Sequence, residues 1–154
     1  MLSKEERTEL NRTFWAGFKI HMNAHKSSNG RSINWLNYPS DVKGIFIRME
    51  VDNKVARLCF DMQFKDEGIR DIVWEQMGEL KKILESQMQS ETNWIKNLHS
   101  TEDFVFSRIC WELSDVSIFK KDNTDAIYSF LKLRIIEFDL FYQEFKDILI
   151  NLVH

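Results

Sequence analysis

Residues 44–65, GIFIRMEVDNKVARLCFDMQFK, carry two runs of alternating side chains on either side of Asp52-Asn53. Ile45, Ile47, Met49 and Val51 alternate with Phe46, Arg48 and Glu50, while Ala56, Leu58, Phe60, Met62 and Phe64 alternate with Arg57, Cys59, Asp61, Gln63 and Lys65. In a strand this period of two sends each set to its own face. A two-residue loop at Asp52-Asn53 pairs Val51 with Lys54, Met49 with Ala56, Ile47 with Leu58 and Ile45 with Phe60, so both apolar sets share one side. A slip of one residue would turn one set into water. Such a hairpin needs a cover for its apolar face, and the rest of the chain must supply it.

Helical periodicity supplies that cover. Ser3 and Glu6 have the form of a capping box, and Leu10, Phe14, Phe18 and Met22 then repeat every four residues, which predicts an amphipathic helix over 4–25 with Arg7, Arg12 and Lys19 outside. Asp66 is placed to cap a second helix reaching Gln89, with Ile69, Val73, Met77, Leu80 and Leu84 inward and Arg70, Asp71, Glu75, Glu79 and Lys82 outward. A third helix is expected from Asp122 or Asn123 to Leu152, long enough that a bend or a break is anticipated. Short strands are expected at Ile33–Tyr38, Trp94–Leu98 and Phe104–Leu113, and KSSNGRS reads as a loop. The expected architecture is a two-layer α+β fold. A mainly antiparallel sheet of four to five strands carries three helices packed on it, and residues 1–154 form a single domain.

The outward face of the hairpin offers the candidate site. It presents Arg48, Glu50, Arg57, Asp61, Gln63 and Lys65, with Arg48 opposite Arg57 in the expected register. Two cations facing each other call for a carboxylate or a phosphate between them. Gln63-Phe64-Lys65 also has the form of the strand ending in restriction-endonuclease-like nucleases, where carboxylates hold Mg²⁺ and a lysine supports the attacking water. Glu50, Asp52 or Asp61 would then supply the metal ligands.

Elsewhere the chemistry is sparse. His21 and His25 stand four apart without an intervening glutamate, and Glu75 and Glu79 share a helix face without the Glu-x-x-His partner of a di-iron site. No Gly-rich phosphate loop, CxxC pair or nucleophile elbow occurs. The tryptophans, Trp15, Trp35, Trp74, Trp94 and Trp111, fall one per element rather than as a stacking platform. No cofactor, no metal and no catalytic residue is therefore assigned. Hydrophobic residues make up 44% and charged residues 29%, with a net charge of −3, which excludes a disordered tail, a histone-like polycation and a collagen-like chain. No apolar run approaches a membrane span, so no membrane partner is expected. Cys59 and Cys110 read as reduced residues of a cytoplasmic protein.

The stretches FWAGFKIHM, GRSINWLNY, CFDMQFKDEGIRDIVWEQM, SRICWELSDVSIF and FLKLRIIEFDLFYQEFKDI resemble the bacterial domain-of-unknown-function family numbered 4268. The resemblance implies a prokaryotic cytoplasmic context, connected in some relatives with defence or nucleic-acid processing, and brings no catalytic residues with it. The function expected is a non-catalytic protein-interaction module that forms a homodimer through its last helix or binds a protein partner. The alternative is a nucleic-acid-associated protein or a Mg-dependent nuclease using the polar face.

Overall fold

The computed structural model describes residues 1–154. Its elements are α1 (Lys4–Met22), β1 (Ile45–Val51), β2 (Val55–Met62), α2 (Glu67–Glu79), α3 (Lys81–Met88), β3 (Asn93–His99), β4 (Val105–Ser114) and α4 (Thr124–Val153), with short 3-10 helices at Trp35–Asn37 and Lys121–Asn123. The four strands form one antiparallel sheet in the order β1-β2-β4-β3. The fold is α+β, with four strands and four α-helices.

The hairpin forms, two residues out from the expected register. Val51 pairs with Ala56, Met49 with Leu58, Ile47 with Phe60 and Ile45 with Met62. The reversal therefore sits at Asn53-Lys54, and Arg48 lies across from Cys59 rather than Arg57. Asp52 explains the shift. One carboxylate oxygen accepts the N–H groups of Lys54 at 2.8 Å and Val55 at 2.9 Å, while the Asp52 and Lys54 carbonyls accept from Ile118 and Val116. The turn is fixed by its own side chain and by the segment after β4. A shift of two leaves every side chain on its expected face, so the apolar side is unaltered.

Burial raises the Asp52 carboxyl, yet the two N–H donors outweigh it and hold the group below its ordinary value. Because the folded pKa is depressed, this contribution is present above the ordinary carboxylate range and is lost as pH falls through the folded value. Asp52→Ala is expected to cost about 1 kcal/mol in urea unfolding. Asp52→Asn should flatten the acid limb of the stability profile relative to wild type.

The other departures have local causes. Ile33–Tyr38 is no strand: Asn34 caps the 3-10 helix by accepting from Leu36 N–H at 3.2 Å, and Tyr38 alone bridges Ile47 on β1. The second helix divides at Leu80, just after Gly78, where the backbone leaves helical geometry. The first helix ends at Met22, and its capping box is present at Ser3 and Glu6. The last helix runs unbroken for 30 residues. It packs against α1, α3 and the sheet, so it is apolar on several sides and needs no bend to satisfy them.

The core lies between α4 and the inward face of the sheet. Phe138 is its hub, with its ring 5.7 Å from Phe60, 6.0 Å from Trp111 and 5.4 Å from Tyr142, and all four side chains are fully buried. On the far side of α4 packs α1, where Gly17 leaves room for the Tyr128 hydroxyl to donate to the Phe14 carbonyl. Nothing packs from the helical layer onto the opposite face of the sheet, which carries the candidate polar residues.

Candidate functional site

The outward sheet face is an ordered ion network rather than a set of independent solvated charges. From β4, Arg108 donates Nε–H to Asp61 at 2.7 Å and a second N–H to the other Asp61 oxygen at 3.0 Å, then reaches Glu50 on β1 at 3.3 Å. Arg57 bridges Glu50 and Glu112, each at 3.3 Å. The order Glu112–Arg57–Glu50–Arg108–Asp61 thus crosses three strands with alternating sign. The β1-β2-β4 strand order makes it possible by placing Asp61 opposite Arg108, and Arg57 between Glu50 and Glu112.

Asp61 has no solvent exposure, and the Arg108 side chain has 13%. Burial pushes the Asp61 carboxyl up, and the Arg108 hydrogen bonds pull it back. Burial likewise works against charging Arg108, but Asp61 and Glu50 hold its pKa above the ordinary arginine range. Both carboxylate oxygens accept from one guanidinium, the bidentate geometry of a charge-assisted pair. Beneath it Cys59 and Cys110 face each other across β2 and β4 as buried free thiols.

The remaining predicted residues behave differently. Arg48 is exposed and stands over the Phe46 ring, 4.7 Å from its centroid, without an ion-pair partner. Gln63 is half-buried just past β2, its N–H donating to the Gly44 carbonyl at 2.7 Å, and Lys65 is exposed and unpaired. Asp52 lies at the opposite end of the hairpin, spent on the turn. Glu50 and Asp61 do come together, but Arg108 fills the place between them that a divalent cation would need. Nowhere in the chain do three or more His, Cys, Asp or Glu side chains gather as metal ligands.

Sequence reading passed over Arg108 and Glu112 as site residues and placed Arg70 outside. Arg70 is buried, donating to the Lys96 carbonyl at 3.0 Å, the Asn97 side chain and the Ser107 hydroxyl, so it ties α2 to β3 and β4. The alternation Phe106, Arg108, Cys110, Glu112 along β4 was the available signal, but it means little until β4 is known to lie beside β2. The tryptophans form no stacking platform: Trp111 is fully buried, and Trp74 meets Trp94 edge-on at 5.7 Å between α2 and β3.

No helix is long and apolar enough to cross a membrane. No curated protein and no solved structure matches the chain. A family model does match, over residues 10–146, and so takes in every strand, the whole ion network and most of α1 and α4. The chain belongs to the family described as a domain of unknown function, DUF4268.

Proposed function

We propose that this chain is a non-catalytic protein-interaction module that self-associates through the outer side of α4. The observation that carries this reading is a pair of leucines seven residues apart on that helix, Leu133 at 50% exposure and Leu140 at 48%. Two large aliphatic side chains at heptad spacing form the seam a second helix can bury. Ala126 and Ser129 precede them on the same side and leave room for close approach. The polar face supports the non-catalytic part, because its two neighbouring carboxylates are already neutralised by guanidinium groups. That leaves neither a free general base nor an open set of metal ligands.

The expected result in sedimentation equilibrium is a mass of twice 18.5 kDa at high protein concentration. Leu133→Glu combined with Leu140→Glu should return the monomer while leaving the circular dichroism spectrum unchanged, with a melting temperature that no longer depends on protein concentration. A wild-type monomer at every concentration would remove the self-association.

A further inference from the structure

Where β1 begins and β2 ends, the sheet carries an apolar hollow on an otherwise ionic face. Phe46, 40% exposed, and Phe104, 39% exposed, stand on its two sides, with Phe64 and Val105 completing a volume of about 510 Å³. It continues past Phe46 and Phe64 into a second hollow of about 540 Å³ that reaches Ile69 and Val153. Phe64 is held there by Gly44, at φ +102°, where an added Cβ would stand 2.6 Å from the Phe64 ring.

Charge around the hollow is unlike charge elsewhere on the face. Arg57 and Arg108 are fully engaged by carboxylates. Lys65 lines the first hollow, Lys43 lines the second, and Arg48 stands over the Phe46 ring; none of the three has an ion-pair partner. Of the nearby carboxylates, Asp66 is spent on the N–H groups of Gly68 and Ile69, and Glu67, exposed in the first turn of α2, is the one carboxylate that lines the first hollow. Three unpaired cations against the single unpaired carboxylate of Glu67, in a chain of net charge −3, are a local reversal of sign.

We propose that this hollow docks an acidic protein segment with an aromatic or large aliphatic anchor. The anchor fills the space between Phe46 and Phe104, and flanking Asp or Glu side chains meet Lys43, Arg48 and Lys65. This rests on the interaction-module reading, though on a surface separate from α4. A single nucleic-acid strand would also place bases on phenylalanines and phosphates on cations. The face beyond the hollow disfavours it, because Glu50 and Glu102 line the adjoining hollow, where a longer phosphate backbone would continue.

The test is fluorescence anisotropy with the full chain and three labelled probes: an eight-residue Asp/Glu peptide with a central Trp-Leu, the same peptide with Ser-Gly at the centre, and a ten-nucleotide oligothymidylate. Saturable binding is expected for the first probe alone, falling with salt. Phe46→Ser, and separately Lys43→Glu with Lys65→Glu, should each weaken it about tenfold or more. All three positions are partly or fully solvent-exposed, so circular dichroism should confirm an unchanged fold. No saturation below about 1 mM, equal binding of the Ser-Gly peptide, indifference to the substitutions, or preference for oligothymidylate would each overturn the proposal. Failure here with dimerisation intact leaves the α4 reading standing, and the converse result removes only α4.

Discussion

Arg108→Ala is expected to lower the unfolding free energy by about 3 to 5 kcal/mol, the cost of leaving a buried charge without its partner. Asp61 has no exposure to water and takes both of its charge-assisted hydrogen bonds from Arg108. Without the guanidinium, Asp61 must protonate or draw water between β2 and β4, and Glu50 loses its second cation. Burial already raises the Asp61 carboxyl, so in the variant protonation becomes the cheaper course and stability should fall as pH rises above the ordinary carboxylate range. Urea unfolding at several pH values measures both effects. The double variant Arg108→Met with Asp61→Leu should recover most of the loss, because replacing both charges removes the desolvation cost along with the attraction. If Arg108→Ala instead stayed within 1 kcal/mol of wild type, the network would be a surface arrangement of little energetic consequence. A rise in wild-type melting temperature on adding Mg²⁺ would mean that Glu50 and Asp61 leave Arg108 for a metal, and would revive the nuclease alternative.

Alternation of apolar and polar residue types alone was enough to expose the hairpin, although on β2 Cys59 and Asp61 of the polar face are buried along with the apolar set. Alternation is blind to a shift of two, which keeps every residue on its face, and that is the error the register contained. What separates the two registers is Asp52, whose carboxylate accepts two backbone N–H groups, and a tertiary bond from Ile118. The first of these was legible in principle, since Asp before a reversal commonly bonds its own backbone. The second depends on where the chain goes sixty residues later.

The candidate site shows the same division. Glu50, Arg57 and Asp61 were correctly placed on one face by period two, but the partner that decides their chemistry comes from β4. The polar side of the second helix was assigned by periodicity, which cannot distinguish Arg70, buried against the irregular stretch of β3 between Ile95 and Leu98, from Asp71 at the surface. Long side chains with several donors are the residues most able to cross this boundary, because a guanidinium can enter a packed region wherever carbonyls await it.

Asp139 is the sharpest case, and its removal should be as costly as that of Arg108. It sits on the inward side of α4 beside Phe138 and Tyr142, and a carboxylate in an aromatic stripe requires partners from elsewhere. They come from the loop after α1: the Ser27 hydroxyl and the Ser28 N–H donate to it at 2.7 Å, and the Tyr38 hydroxyl donates at 2.6 Å. Gln143 completes the arrangement by donating to the Tyr38 oxygen at 2.8 Å. Burial first and the Asp139 bond second push the Tyr38 phenol above its ordinary value, so it remains a donor throughout the working pH range. Asp139→Ala strands the buried Ser27 and Tyr38 hydroxyls and the N–H of the more exposed Ser28, and a loss of about 3 to 5 kcal/mol is expected. Asp139→Asn keeps one acceptor oxygen but turns an amide N–H₂ toward a donor, and should lose roughly half as much. Hydrogen exchange locates the effect: Ser28 should lose protection in both variants, while the amides of β2 and β4 change only as far as global stability falls. A Ser28 amide unaffected by Asp139→Ala would show that segment 27–38 is held to α4 by the packing of Trp35 and Tyr38 rather than by the carboxylate.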